Sequence, residues 1–186
     1  MSSKNKVLIK IATYTAAIVY IIFLIFKRPS IFKDYIEIIP NAITIATLIS
    51  LFFNNCIWKH IPGFISNLFP SIKVPVLKNE YIGTIRYKKD EKCKEKSINI
   101  YFYQTFTTVR IKLTTDEIES NSITADIIEE RGEYILYYTY ITNPRSEYSE
   151  NNPIQHGTCR LCITNLDDIK GTYWTSRKTI GDVYLK

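Results

Sequence analysis

Two long apolar runs near the N-terminus constrain this chain more than any other feature. Val7 to Phe26 carries a single charge, Lys10, and Ile38 to Trp58 carries none. Each approaches the ~20 residues that a helix needs to cross about 30 Å of hydrocarbon. Neither run has a polar stripe to turn toward water, so two buried helices of a soluble core fit poorly. The reading is two transmembrane helices. A cleaved signal sequence competes for the first run, but that run ends in Lys27-Arg28-Pro29 with no small-residue cleavage site behind it. Lys10 can reach the interface by snorkelling.

Asn41, Thr44, Thr47, Ser50, Asn54 and Asn55 punctuate the second run. The first four recur every three residues and stay loosely on one side of a helix. Polar groups in lipid seek protein partners. Two readings stand: packing against the first span, or a contact face between protomers. Charge divides the chain as hydropathy does. Residues 1–78 hold nine Lys/Arg and two acids, whereas 79–186 hold fifteen and sixteen. The basic excess therefore flanks the apolar runs, and the rest of the chain offers no net positive field to duplex nucleic acid. Basic residues lie at both ends of the runs, so their bias does not decide orientation. Residues 60–78, with Pro62, Gly63, Pro70 and Pro75, read as a linker in which Phe64, Ile65, Leu68 and Phe69 suggest a short interfacial helix. The expected organisation is a two-helix membrane region over 1–59, the linker over 60–78 and a β domain over 79–186.

From Tyr81 the apolar period changes to two. Strands are predicted at 80–88, 97–106, 107–114, 121–129, 133–141, 155–164, 169–177 and 180–186, rich in Ile, Tyr, Thr and Val. Lys-Lys-Asp-Glu, Glu-Arg-Gly, Asn-Pro-Arg and Leu-Asp-Asp supply turns between them. Short strands with short loops and no intervening helix point to a compact antiparallel up-and-down barrel of eight strands.

The chain lacks G-x-S-x-G, H-E-x-x-H, a P-loop and G-x-G-x-x-G. His60 and His156 are far apart, and no catalytic constellation emerges; the expectation is a binding domain, not an enzyme, with no metal site and no cofactor. Cys159 and Cys162 form a C-x-x-C, but strand residues three apart point to opposite faces, which does not suit a metal clip.

Alternation identifies the inner face. Val109, Ile111 and Leu113 share it, as do Gly157, Cys159, Leu161 and Ile163. Ile98, Ile100 and Phe102 share a face with Gln104, and Leu136 with Tyr138 and Tyr140. In the last hairpin Ile169, Gly171, Tyr173, Thr175, Arg177, Thr179, Gly181, Val183 and Leu185 form one set, apolar at its ends and polar in the middle. Inward polar groups are costly unless paired or bound to a ligand. Tyrosine faces stack on bases and arginine forks onto phosphate. A lumen with Gln104, Tyr138, Tyr140, Tyr173, Thr175 and Arg177 therefore suits a small nucleotide-like anion. An Arg177–carboxylate pair is the structural alternative. A membrane-tethered, lipocalin-like binder of an apolar ligand is the alternative for the whole domain.

This layout resembles the CD-NTase-associated protein 15 family, two-helix β-barrel effectors of the cyclic-oligonucleotide anti-phage system called CBASS. The matching residues are the hairpin Gly171-x-Tyr173-x-Thr175-x-Arg177-x-Thr179-x-Gly181, the strand Leu136-x-Tyr138-x-Tyr140 running to Pro144, the strand Gly157-x-Cys159-x-Leu161-x-Ile163, and Gln104 ahead of Val109-x-Ile111-x-Leu113. The likeness covers the whole chain. At the start of the barrel Asn79 and Tyr81 stand where glycine and tryptophan are expected. The resemblance implies that a partner nucleotidyltransferase makes a cyclic dinucleotide, which the barrel binds. It implies ligand-induced homo-oligomers, disruption of the bacterial inner membrane and death of the infected cell. A ligand made in the cytoplasm puts the barrel and both termini there.

Overall fold

The computed structural model describes residues 3–60, 74–89, 92–150 and 152–186. The interfacial helix suggested at Phe64–Phe69 lies outside them. The chain divides into a helical unit and a β unit.

In the helical unit, α1 (Ser3–Lys27) and α2 (Phe32–Asn55) are joined by a connection so short that α2 must double back along α1. Both are long and apolar enough to cross a membrane; at 1.5 Å per residue, 24 residues extend about 36 Å. α2 begins well before its uncharged run. Its start is set by Asp34, whose carboxylate accepts the amides of Ser30 at 3.3 Å and Ile31 at 3.4 Å, satisfying donors that a helix leaves open and complementing its dipole. Ile38, Ala42, Ala46, Ser50 and Phe53 form the buried face of α2. At about 100° per residue, Asn41, Thr44 and Thr47 come out on the opposite side, and they are exposed. The four polar residues expected on one side thus divide: Ser50 joins the packed face and the other three look away from it. Thr44, Thr47 and Ser50 each donate to the carbonyl four residues back, at 2.8, 2.8 and 2.7 Å.

The β unit is a closed antiparallel barrel in chain order: β1 (Glu80–Lys89), β2 (Lys92–Gln104), β3 (Val109–Thr114), β4 (Ile118–Glu130), β5 (Glu133–Pro144), β6 (His156–Cys162), β7 (Ile169–Thr175) and β8 (Ile180–Leu185), with β8 returning onto β1. The expected eight strands and their inner faces are present. Most boundaries shift by one to five residues, and three of the shifts bear on the site. β2 starts at Lys92, so the charged stretch Lys92–Lys96 is strand paired with β1 and not turn. β4 starts at Ile118. β7 stops at Thr175, leaving Arg177 in a turn held by Lys178 N–H on the Thr175 carbonyl at 2.9 Å. Between β4 and β5, Arg131 and Gly132 both have positive φ, 53° and 85°, the backbone of a two-residue type I′ hairpin.

Alternating inward residues fill one end of the barrel. Tyr81, Ile98, Ile100, Phe102, Leu136, Leu161, Ile169 and Leu185 are almost wholly buried there, each full side-chain burial contributing about 1.5–3 kcal/mol. Tyr81, in the tryptophan position, sets its ring edge-on to Phe102 at 5.6 Å. Cys159 points in and is buried, whereas Cys162 points out, as the parity of the C-x-x-C requires.

Candidate functional site

The apolar filling stops partway along the barrel. β5 carries Leu136, Tyr138, Tyr140 and Thr142 successively toward one end, and β7 carries Ile169, Gly171, Tyr173 and Thr175 the same way. Above Leu136 a cavity of about 580 Å³ opens. Its floor is Ile85, Leu113, Tyr138, Cys159 and Val183. Its middle is Tyr87, Ser120, Tyr140, Thr142, Tyr173 and Thr175. Its mouth carries Lys88, Lys94, Lys96, Glu117 and Arg177, with Tyr148, Asn152 and Gln155 from the β5–β6 connection.

Two glycines set the tyrosine rings. Tyr140 lies directly across the ladder from Gly157, and Tyr173 directly across from Gly181. A Cβ on Gly157 would run into the Tyr140 ring, and one on Gly181 would stand 2.6 Å from Tyr173 Cε1. Without those methyl groups each ring lies over the neighbouring strand and borders the lumen. Tyr138 and Tyr140 have ring centroids 5.8 Å apart, tilted by 46°.

The walls are uncharged at neutral pH. Burial pushes the Cys159 thiol up to about 12 and the Tyr173 phenol up to about 12. Burial also raises Tyr140 and lifts Tyr138 well above the usual tyrosine range. These four protonated groups therefore put no negative charge on the walls. The Thr175 hydroxyl is buried without a hydrogen-bond partner. A buried orphan hydroxyl facing a cavity costs about 1–3 kcal/mol unless something in the cavity meets it.

These shifts predict alkaline lability. A thiol or phenol raised in the folded state contributes stability that is fully present below its unfolded pKa and lost as pH rises through the folded value. For Cys159 the window runs from the ordinary 9.0 to about 12, with a loss of up to ~1.4 kcal/mol per pH unit. Urea midpoints should be flat from pH 7 to 9 and fall from 9 to 11. Cys159→Ala should flatten part of that fall; an unchanged slope would remove the thiol from the account.

The structure brings together five of the six residues singled out from sequence. Tyr138, Tyr140, Tyr173, Thr175 and Arg177 line one cavity. Arg177 differs from expectation in being exposed, at the mouth and not in the lumen, because the strand ends before it. Gln104 does not line the cavity. It is buried at the filled end, where its Nε2 donates to the Pro75 carbonyl at 2.8 Å and its Oε1 accepts the Leu77 amide at 3.0 Å. Its amide fastens the segment leading into β1. Sequence reasoning missed Lys94 and Lys96. They stand opposite Tyr87 and Ile85 and continue the inward set of Ile98 and Ile100 toward the mouth; extending that alternation backward would have found them.

Comparison with known proteins bears on the same region. Residues 72–186 match the family described as "Cap15, cyclic dinucleotide receptor domain". A curated relative from Staphylococcus schleiferi, CD-NTase-associated protein 15, is 41% identical over 186 residues, covering 100% of this chain and 98% of the relative.

Proposed function

This chain belongs to the Cap15 family, and on that premise we propose that its barrel is the cyclic-dinucleotide sensor of a CBASS-type membrane effector. The observation that carries the reading is the make-up of the cavity: neutral aromatic walls, an orphaned Thr175 hydroxyl and a mouth of lysines. The bases lie against Tyr138, Tyr140 and Tyr173, Thr175 donates or accepts one hydrogen bond, and the phosphodiesters meet Lys94, Lys96 and Arg177. The protein acts as a receptor and catalyses nothing. The cationic mouth disfavours the alternative of a carrier for apolar ligands, because charged side chains would have to lose water without compensation.

The test uses the full chain in detergent. A panel of cyclic dinucleotides is expected to contain at least one that raises the melting temperature, by about 2.7 kcal/mol of stabilisation at a hundredfold excess over Kd. Arg177→Ala should weaken that ligand about five- to tenfold, a modest effect because an exposed guanidinium keeps much of its hydration, and Arg177→Lys should restore part of the loss. A flat response to every cyclic dinucleotide would overturn the reading.

Ligand binding drives assembly only through a higher affinity for the assembled state. We assign the contact between protomers to the outward face of α2, with Asn41, Thr44 and Thr47. Association of these helices then disrupts the inner membrane, with both termini on the cytoplasmic side. Leucine at the three positions should weaken toxicity in cells while leaving ligand affinity intact; undiminished toxicity removes this face from the mechanism. A reporter fused at Lys186 that behaved as periplasmic would overturn the orientation.

A further inference from the structure

The mouth of the cavity holds a negative charge that an anion receptor does not need. Among the described residues that line the cavity, Glu117 is the one carboxylate, set with Lys88, Lys94, Lys96 and Arg177. Its place is fixed. The Thr115 hydroxyl accepts the amides of Glu117 and Ile118 at 3.2 and 3.1 Å, which closes the β3–β4 turn. The Glu117 carbonyl takes the Arg145 amide at 3.0 Å, tying that turn to the start of the β5–β6 connection. Its carboxylate pairs with Lys96, and the two side chains are 33% and 31% exposed. That is drier than the Lys112–Glu119 or Arg160–Glu130 pairs on the outer surface.

Aromatic walls below a basic mouth fit nucleotides in general, and linear nucleotides share their bases and ribose with cyclic dinucleotides. They differ in phosphate charge. A terminal phosphomonoester carries about −1.5 to −2 at neutral pH, and a polyphosphate tail carries more, whereas each phosphodiester of a cyclic dinucleotide carries a single charge. We propose that Glu117 is a specificity-determining charge filter: it neutralises Lys96 and repels the phosphate tail of linear nucleotides more than the diester ring. Each extra negative charge brought near a fixed carboxylate at the mouth weakens binding on the order of five- to tenfold. The proposal rests on the reading of the cavity as a cyclic-dinucleotide site.

The experiment titrates the full chain in detergent with ATP and, separately, with whichever member of a panel of cyclic di-AMP, cyclic di-GMP, cyclic GMP–AMP and cyclic di-UMP stabilises it most. Glu117→Gln is expected to tighten ATP by at least about tenfold and the cyclic dinucleotide by clearly less, so that the ratio of the two affinities narrows. Glu117→Ala, as a second charge-removing variant, should do the same, and Glu117→Asp, which keeps the charge, should hold the wild-type ratio. The filter is overturned if ATP affinity does not move, if both ligands tighten by the same factor, or if the charge-removing variants lose the cyclic dinucleotide. Absence of any response to the panel in the wild-type chain sinks the receptor reading instead, and the ATP titrations remain a separate measure of repulsion at the mouth.

Discussion

Replacing Lys94 and Lys96 together with methionine is expected to weaken cyclic-dinucleotide binding by about 100- to 1,000-fold. The half-buried Lys96 offers a charge-assisted hydrogen bond worth about 1.5–3 kcal/mol where it meets phosphate, and the exposed Lys94 about 1 kcal/mol. Methionine keeps most of the apolar stem, so the strand can retain its packing. Both residues stand on β2 opposite inward residues of β1, which fixes their direction more firmly than a loop would. The apo barrel should melt within a few degrees of wild type, since Lys94 is exposed and the Lys96–Glu117 pair, a third exposed, is still screened by water. The wild-type affinity should fall with added salt, and the double variant should lose most of that dependence. An unchanged salt dependence would mean that the phosphates sit elsewhere.

The second large effect is expected at Gly157. Alanine there should lower stability by about 3 kcal/mol. The added methyl group has nowhere to go: besides the Tyr140 ring it would stand 2.8 Å from the Trp174 carbonyl. The ring can turn away, but the backbone cannot. Tyr140→Leu in the same chain should therefore restore only the part of the loss that the ring causes, and a double-mutant cycle separates the two contributions. Full rescue would locate the whole strain in the ring; no rescue would locate it in the ladder and leave Gly157 without a role in seating Tyr140.

Much of this architecture was legible because two periodicities dominate the sequence. The apolar runs could only be helices in lipid or in a dry core, and from Tyr81 onward the alternation told which side chains face the lumen. Parity gives a face, however, and not a height. Gln104 and Tyr140 are both inward, yet one lies at the filled end with its amide spent on the Pro75 carbonyl and the Leu77 amide, and the other borders the cavity. Height along a barrel follows from register, which strand patterns alone do not supply. Lys94 and Lys96 were obscured for a different reason. A dense run of charge beside Lys-Lys-Asp-Glu resembles a turn, and only pairing across to Ile85 and Tyr87 makes it strand. Arg177 is the opposite case: the alternation runs on through it, but a turn ends the strand at Thr175. Glu117 had no signal of its own. Its position follows from the ladder register and its pairing with Lys96.

The up-and-down order has a practical corollary. β1 begins and β8 ends at the same end of the barrel, where Lys186 donates its amide to the Ile82 carbonyl at 3.0 Å, and that end is the filled one. A fluorophore, a surface tether or a fused reporter joined after Lys186 would therefore leave from the side away from the opening. A barrel immobilised through that end would keep its handle behind it and its aperture turned to the sample.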